Sequence, residues 1–173
     1  MPIITFQGIA PKIDPTAKIF EPSTIVGDVE IGAECSVWYG CVIRGDVNSI
    51  RIGDRTNIQD LSCLHVTHKK ADLRIGAGVT VGHMCLLHGC RIEDYVLVGM
   101  GSIVMDGAVL GEHSLLGAGS LVTEGTIIPP RYLAFGRPAR AIRPLKEEEL
   151  AHLERSAGNY VRYKGWYEAK DEG

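Results

Sequence analysis

Three of the chain's six histidines, His65, His83 and His88, stand in one stretch of sequence, with Arg44, Asp46, Gln59 and Asp60 upstream of them. Imidazole suits zinc, iron and cobalt alike, so these residue types point to Zn2+, with Fe2+ or Co2+ as alternatives. Three imidazoles and one open position form the ligand set of hydrolytic and hydrating zinc centres. His113 and His152 lack such company and read as solvated side chains. Whether His65, His83 and His88 can serve one ion depends on the elements that carry them.

Those elements show in the period of the aliphatic residues. Ile13, Ile19, Ile25, Ile31, Val37 and Ile43 recur at every sixth position. After an insertion come Ile52, Ile58 and Leu64, and after a longer one Ile75, Val81 and Leu87. With one residue dropped, Ile92, Val98, Val104, Leu110, Leu116, Val122 and Ile128 follow. Neither a 3.6-residue helix nor a two-residue alternation gives this period. It is the signature of an all-β chain, a parallel β-helix of hexapeptide repeats. Each hexapeptide makes a short strand and a corner, with the aliphatic pointing inward and the next residue outward. Three hexapeptides close a triangular coil, about six coils stack at roughly 4.8 Å, and Cys35, Cys41 and Cys85 fall at small inward positions as core residues.

Stacking three hexapeptides per coil places residues above one another. Ile43, Leu64 and Leu87 share one face, so Arg44, His65 and His88 form an outward column. Ile58 and Val81 share the preceding face, so Asp60 lies below His83 with Gln59 beside it. Two imidazoles about 5 Å apart on a flat face can point at a common ion. His83 belongs to a different strand, near a corner.

The period ends at Ile128, and Pro129, Pro130, Pro138 and Pro144 punctuate an extended exit. From Leu145 to Arg162 an apolar face of Leu150, Leu153, Ala157 and Val161 predicts an α-helix, with acidic residues in its first turn. The chain thus divides into a β-helix with its exit over 1–144 and a helix with its tail over 145–173, within one domain. Trp38, one position after Val37, is expected to point outward, into an interface or else as a pocket wall, with the interface the favoured reading.

Composition narrows the function classes. A formal net charge of −3 gives no broad attraction to nucleic acid or anionic lipid. No apolar run approaches the ~20 residues of a membrane span. The N-terminus shows no signal-peptide pattern, which points to the cytoplasm. Five cysteines without Cys-x-x-Cys spacing argue against a zinc cluster or disulfide framework.

The segments Arg44-Gly45-Asp46, Asn57-Ile58-Gln59-Asp60, Leu64-His65, Val81-Gly82-His83, Leu87-His88-Gly89 and Leu133-Ala134-Phe135-Gly136-Arg137-Pro138-Ala139 resemble the γ-class carbonic anhydrases. The likeness runs from about Ile13 to Leu145. It implies a left-handed coil, a hand the period does not give and the usual crossover rule would oppose. It also implies a homotrimer with metal sites between subunits, His65 and His88 from one copy and His83 from its neighbour. Gln59 would hydrogen-bond a metal-bound hydroxide, Asp60 would support it, and Arg44 and Asp46 would form a salt bridge across the interface. The implied reaction is reversible hydration of carbon dioxide to bicarbonate. The family pattern has glutamates where this chain has Val47 and His68, which makes His68 the candidate proton shuttle. Two other readings stay open: a CoA-thioester hydrolase or acyltransferase on the same fold, and a catalytically silent trimer with a structural metal.

Overall fold

The computed structural model describes residues 2–167. It is a parallel β-solenoid closed along one side by a C-terminal helix. On the first face Ile3, Ile25, Ile43, Leu64, Leu87, Val104 and Val122 stand in register. The second stacks Ile13, Ile31, Ile52, Ile75, Ile92, Leu110 and Ile128. The third stacks Ile19, Val37, Ile58, Val81, Val98, Leu116 and Ala134. Every aliphatic of the six-residue period therefore lies in one of three columns. Each face has seven rungs: the second has them from the period itself, and Ile3–Ile4 and Tyr132–Gly136 pair onto the ends of the first and third.

Most rungs are two-residue strands, too short to stand alone, and the columns hold them. Ile25, Ile43, Leu64, Leu87 and Val98 are fully buried, and each such side chain contributes about 1.5–3 kcal/mol. Cys35, Cys41 and Cys85 are buried as expected, and Cys90 joins them. Burial pushes the thiols of Cys35 and Cys41 up to about 11 and that of Cys90 up to about 12.

The two insertions behave differently. The first is absorbed by a continuous strand, Val42–Ile52, which rounds a corner beside Thr24–Ile31 and buries Ile50. That corner depends on two glycines: a Cβ at Gly27 would lie 2.5 Å from the Gly45 carbonyl oxygen, and one at Gly45 equally close to that of Asp28. The second insertion forms a small turn bridged between Thr67 and Ala71, with Val66 and Leu73 buried at its base. His68 sits exposed in this turn.

The exit folds back as an antiparallel pair, Tyr132–Gly136 with Ala139–Pro144. The helix spans Glu147–Trp166, later at both ends than the expected 145–162. At its start Glu149 accepts from the Lys146 N–H at 2.8 Å and pairs with both terminal nitrogens of Arg143 at 2.8 Å. Near its end Lys164 is buried, and its ammonium donates to the Thr16 carbonyl at 2.5 Å. That contact holds the last turn against the first coils, a tie that apolar periodicity does not reveal. Tail residues 168–173 lie outside the described residues.

Leu150, Leu153 and Ala157 are buried against the solenoid, while Val161 is half-buried. The helix thereby corrects two expectations. Trp38 is 8% exposed and lies under this helix, stacked on Phe20 with centroids 4.5 Å apart and edge-on to Tyr160 at 5.7 Å. It packs under the chain's own helix and forms part of a pocket wall there, where an outward interface position was expected. His113 is not solvated: it stacks on Tyr95 at 4.9 Å, and its Nε2 lies 3.2 Å from Glu154 of the helix.

Candidate metal centre

His65 closes the strand Cys63–His65 and His88 the strand Leu86–His88, and the two are direct register partners. Leu64 and Leu87 point inward, so alternation turns both imidazoles outward on the same face. Their ring centroids are 5.0 Å apart, and His65 Nδ1 faces His88 Nε2 at 3.0 Å.

The outer nitrogens fix the proton positions. His65 Nε2 lies 3.1 Å from Asp46 Oδ1, and His88 Nδ1 lies 2.6 Å from Asp106 Oδ1. A carboxylate only accepts, so each of those nitrogens carries the N–H. In the neutral rings the facing nitrogens then both present lone pairs across 3.0 Å. That contact is repulsive unless a cation or a proton lies between them. Burial pushes the His65 imidazole below its ordinary value, against the pull of Asp46, which disfavours the proton. The donor set therefore fits a divalent ion, with each ligand held from behind by a carboxylate.

Each carboxylate is held in turn. Arg44 donates to Asp46 at 2.5 Å, and Thr67 donates to Asp106 at 2.5 Å. Burial alone would raise both carboxyls. The hydrogen bonds from Arg44 and His65 outweigh it at Asp46, and those from Thr67 and His88 outweigh it at Asp106, so both stay below the usual carboxylate range. Arg44 and Asp46, expected to bridge subunits, pair with each other inside this chain.

His83 stands apart. It follows the strand Thr80–Val81 on the third face, its side chain is 46% exposed, and its Nδ1 lies 2.8 Å from Asp60 Oδ2. The register of Ile58 with Val81 puts Asp60 directly below it. Among the described residues no three histidine, cysteine, aspartate or glutamate side chains are arranged to hold a metal ion. Gln59 is buried and donates to Asn57 at 3.1 Å, and Asn57 donates to Thr80, whose hydroxyl meets Ser156 of the helix. Asp60 thus engages His83, and Gln59 a polar row under the helix. The exposed His68 has no hydrogen-bond partner among the described residues.

Asp106 and Thr67 were missed in the sequence, although a signal existed. Val104 pairs with Leu87, so continuing the column sets Asp106 over Gly89. Gly89 has φ +52°, and a Cβ there would lie 2.6 Å from Asp106 Oδ1 and 2.7 Å from the Ala71 Cβ. The glycine leaves room for the carboxylate to reach His88.

Residues 89–124 match the bacterial transferase hexapeptide model of six repeats. A protein named carbonic anhydrase from Geobacillus kaustophilus is 48% identical over 96% of this chain and 91% of its own. Gamma carbonic anhydrase 1, mitochondrial, from Arabidopsis thaliana is 44% identical over 87% of this chain, which spans 57% of that protein. Among solved structures, a hexapeptide transferase family protein from Anaplasma phagocytophilum superposes with a TM-score of 0.93 at 46% identity. That match covers 96% of this chain and 98% of the other.

Proposed function

This chain belongs to the γ-class carbonic anhydrase-like family of hexapeptide-repeat proteins, and from that premise we propose that it hydrates carbon dioxide reversibly to bicarbonate at a divalent metal centre. One observation carries the reading: two imidazole nitrogens face each other across 3.0 Å, each ring with its other nitrogen against a carboxylate. A bound Zn2+, Fe2+ or Co2+ would supply Lewis acidity, which brings the pKa of water towards about 7 and makes it a nucleophile at neutral pH.

The chain's own residues supply orientation. Asp46 and Asp106 fix the tautomers of His65 and His88, so that Nδ1 of one and Nε2 of the other are offered together. His83, held by Asp60, is offered on another face, where it serves a neighbouring copy in a homotrimer. An apolar surface around the histidines supports that assembly. Val42, Leu61, Met84, Leu86, Met100 and Met105 are all exposed, on the first face and on the corner leading to it. Gln59, its amide fixed by Asn57, orients the reacting oxygen with its remaining polar atoms. His68 passes protons between the site and solvent from its turn, with Thr67 of that turn anchored on Asp106.

The test is stopped-flow carbon dioxide hydration with protein reloaded with zinc or, anaerobically, iron(II), beside His83→Ala. Turnover that disappears in the variant supports the reading. Metal binding without turnover removes the reaction and leaves the site. A second reading, acyl transfer or thioester hydrolysis with coenzyme A, is favoured by the transferase name of the Anaplasma relative. A CoA-dependent acyltransferase would keep its activity after chelation.

A further inference from the structure

Beyond the histidines, one cleft stands out by its chemistry. It occupies 290 Å³ between the C-terminal helix and the corner carrying His83. Six aromatic side chains line it: Trp38, Tyr39, Tyr160, Tyr163, Trp166 and Tyr167. Asp60 and His83 complete the wall, and among the described residues no lysine or arginine lines it. Carbon dioxide, with three heavy atoms, has no use for such a space.

The rings meet at steep angles. Trp38 and Tyr160 are inclined at 83° with centroids 5.7 Å apart, Trp38 and Tyr167 at 78° and 5.6 Å, and Tyr160 and Tyr163 at 67° and 5.4 Å. The walls therefore face several directions around the space, as in an aromatic cage. Aromatic faces attract cations, most strongly those of tryptophan and tyrosine. The cluster already takes one cation, since the Arg162 guanidinium carbon lies 5.5 Å from the Tyr163 centroid. The carboxylate of Asp60 adds negative charge. A phosphate or carboxylate ligand would meet electron-rich rings and the Asp60 carboxylate, with the His83 imidazole the one basic group among the described lining residues.

We propose that this cleft binds the alkylammonium head of a small organic cation. The site adjoins His83 but does not rest on a metal, and the test reads binding, so its outcome is separate from that of the hydration assay.

The chain has two tryptophans, and both line the cleft, so intrinsic fluorescence reports on it. The full-length protein, metal-free and zinc-loaded, is titrated at constant ionic strength with choline and with its neutral isostere 3,3-dimethylbutan-1-ol. The expected result is a saturable change with choline and at least tenfold weaker binding of the alcohol. Tyr163→Leu weakens choline binding about three- to tenfold and Tyr163→Phe retains it. Trp166→Leu, read by calorimetry, gives a second and more exposed truncation with the same loss. Equal affinity for choline and the alcohol would overturn the proposal, because the cleft would then be an apolar slot. So would no saturable response, or full choline affinity in both truncations.

Discussion

Replacing Asp106 tests whether the stacked histidines hold a metal in the way their hydrogen bonds imply. Its carboxylate accepts from His88 Nδ1 at 2.6 Å and from Thr67 at 2.5 Å, and its side chain is only 11% exposed. Asp106→Ala removes both contacts. The His88 ring then loses the partner that sets its tautomer and its angle toward His65. Removing such a carboxylate from behind a ligating histidine costs about 10- to 100-fold in metal affinity, or roughly 1.4–2.7 kcal/mol. Asp106→Asn keeps an acceptor for the imidazole and turns its amide toward Thr67, whose hydroxyl can also accept, so the loss should be near the lower bound. Thr67→Val frees one oxygen of the carboxylate and should cost less again. Zinc affinity is measured by competition with a chromophoric chelator, and imidazole 15N shifts report the protonated nitrogen of His88. The expected order of weakening is alanine, then asparagine, then the Thr67 variant. Wild-type zinc affinity in a folded Asp106→Ala protein would refute the reasoning, because His88 would then owe nothing to its carboxylate.

Gly89→Ala should act on the same bond from below, since its Cβ would meet Asp106 Oδ1 at 2.6 Å and φ is +52°. Backbone strain of about 1–2 kcal/mol and weaker zinc binding are both expected, and thermal unfolding with the chelator assay reads them. Burial keeps the thiols of Cys35, Cys41 and Cys90 above their ordinary value, whereas Cys63 is half-exposed. Cys63 stands between Val42 and Leu86 on the face proposed for the trimer, so a thiol reagent at pH 8 should label the dissociated monomer once, at Cys63, assembly should slow that label, and Cys63→Ser should abolish it. Arg143 and the Lys146 N–H hold Glu149 at about 2, below its ordinary 4.5. A depressed carboxyl stabilises the fold above pH 4.5 and stops doing so as the pH falls towards 2. Acidification over that window should lower the thermal midpoint more in the wild type than in Glu149→Gln.

Particular residues show how far one dimension reaches. The pairing of His65 with His88 was legible because Leu64 and Leu87 fall on the six-residue period. A slip of one position would turn a buried aliphatic out to solvent, so the core dictates the register. Asp60 under His83 followed in the same way from Ile58 and Val81. Asp106 follows the same column logic, yet its role needs the third dimension: it reaches His88 only because Gly89 lacks a Cβ and Thr67 turns in from an insertion.

The sequence by itself determined the solenoid, its three aliphatic columns and the stacking of two imidazoles, because a strict period leaves one way to bury every aliphatic. It did not determine the hand of the coil, since six-residue periodicity is the same for either. Tertiary structure alone decided which imidazole nitrogens face each other, because that depends on carboxylates brought in from neighbouring rungs. It also decided the surroundings of Trp38. The helix packs over that face, with Lys164 reaching Thr16, and side chains from both ends of the chain enclose the aromatic cleft. No local pattern encodes a contact between residues so far apart in the chain.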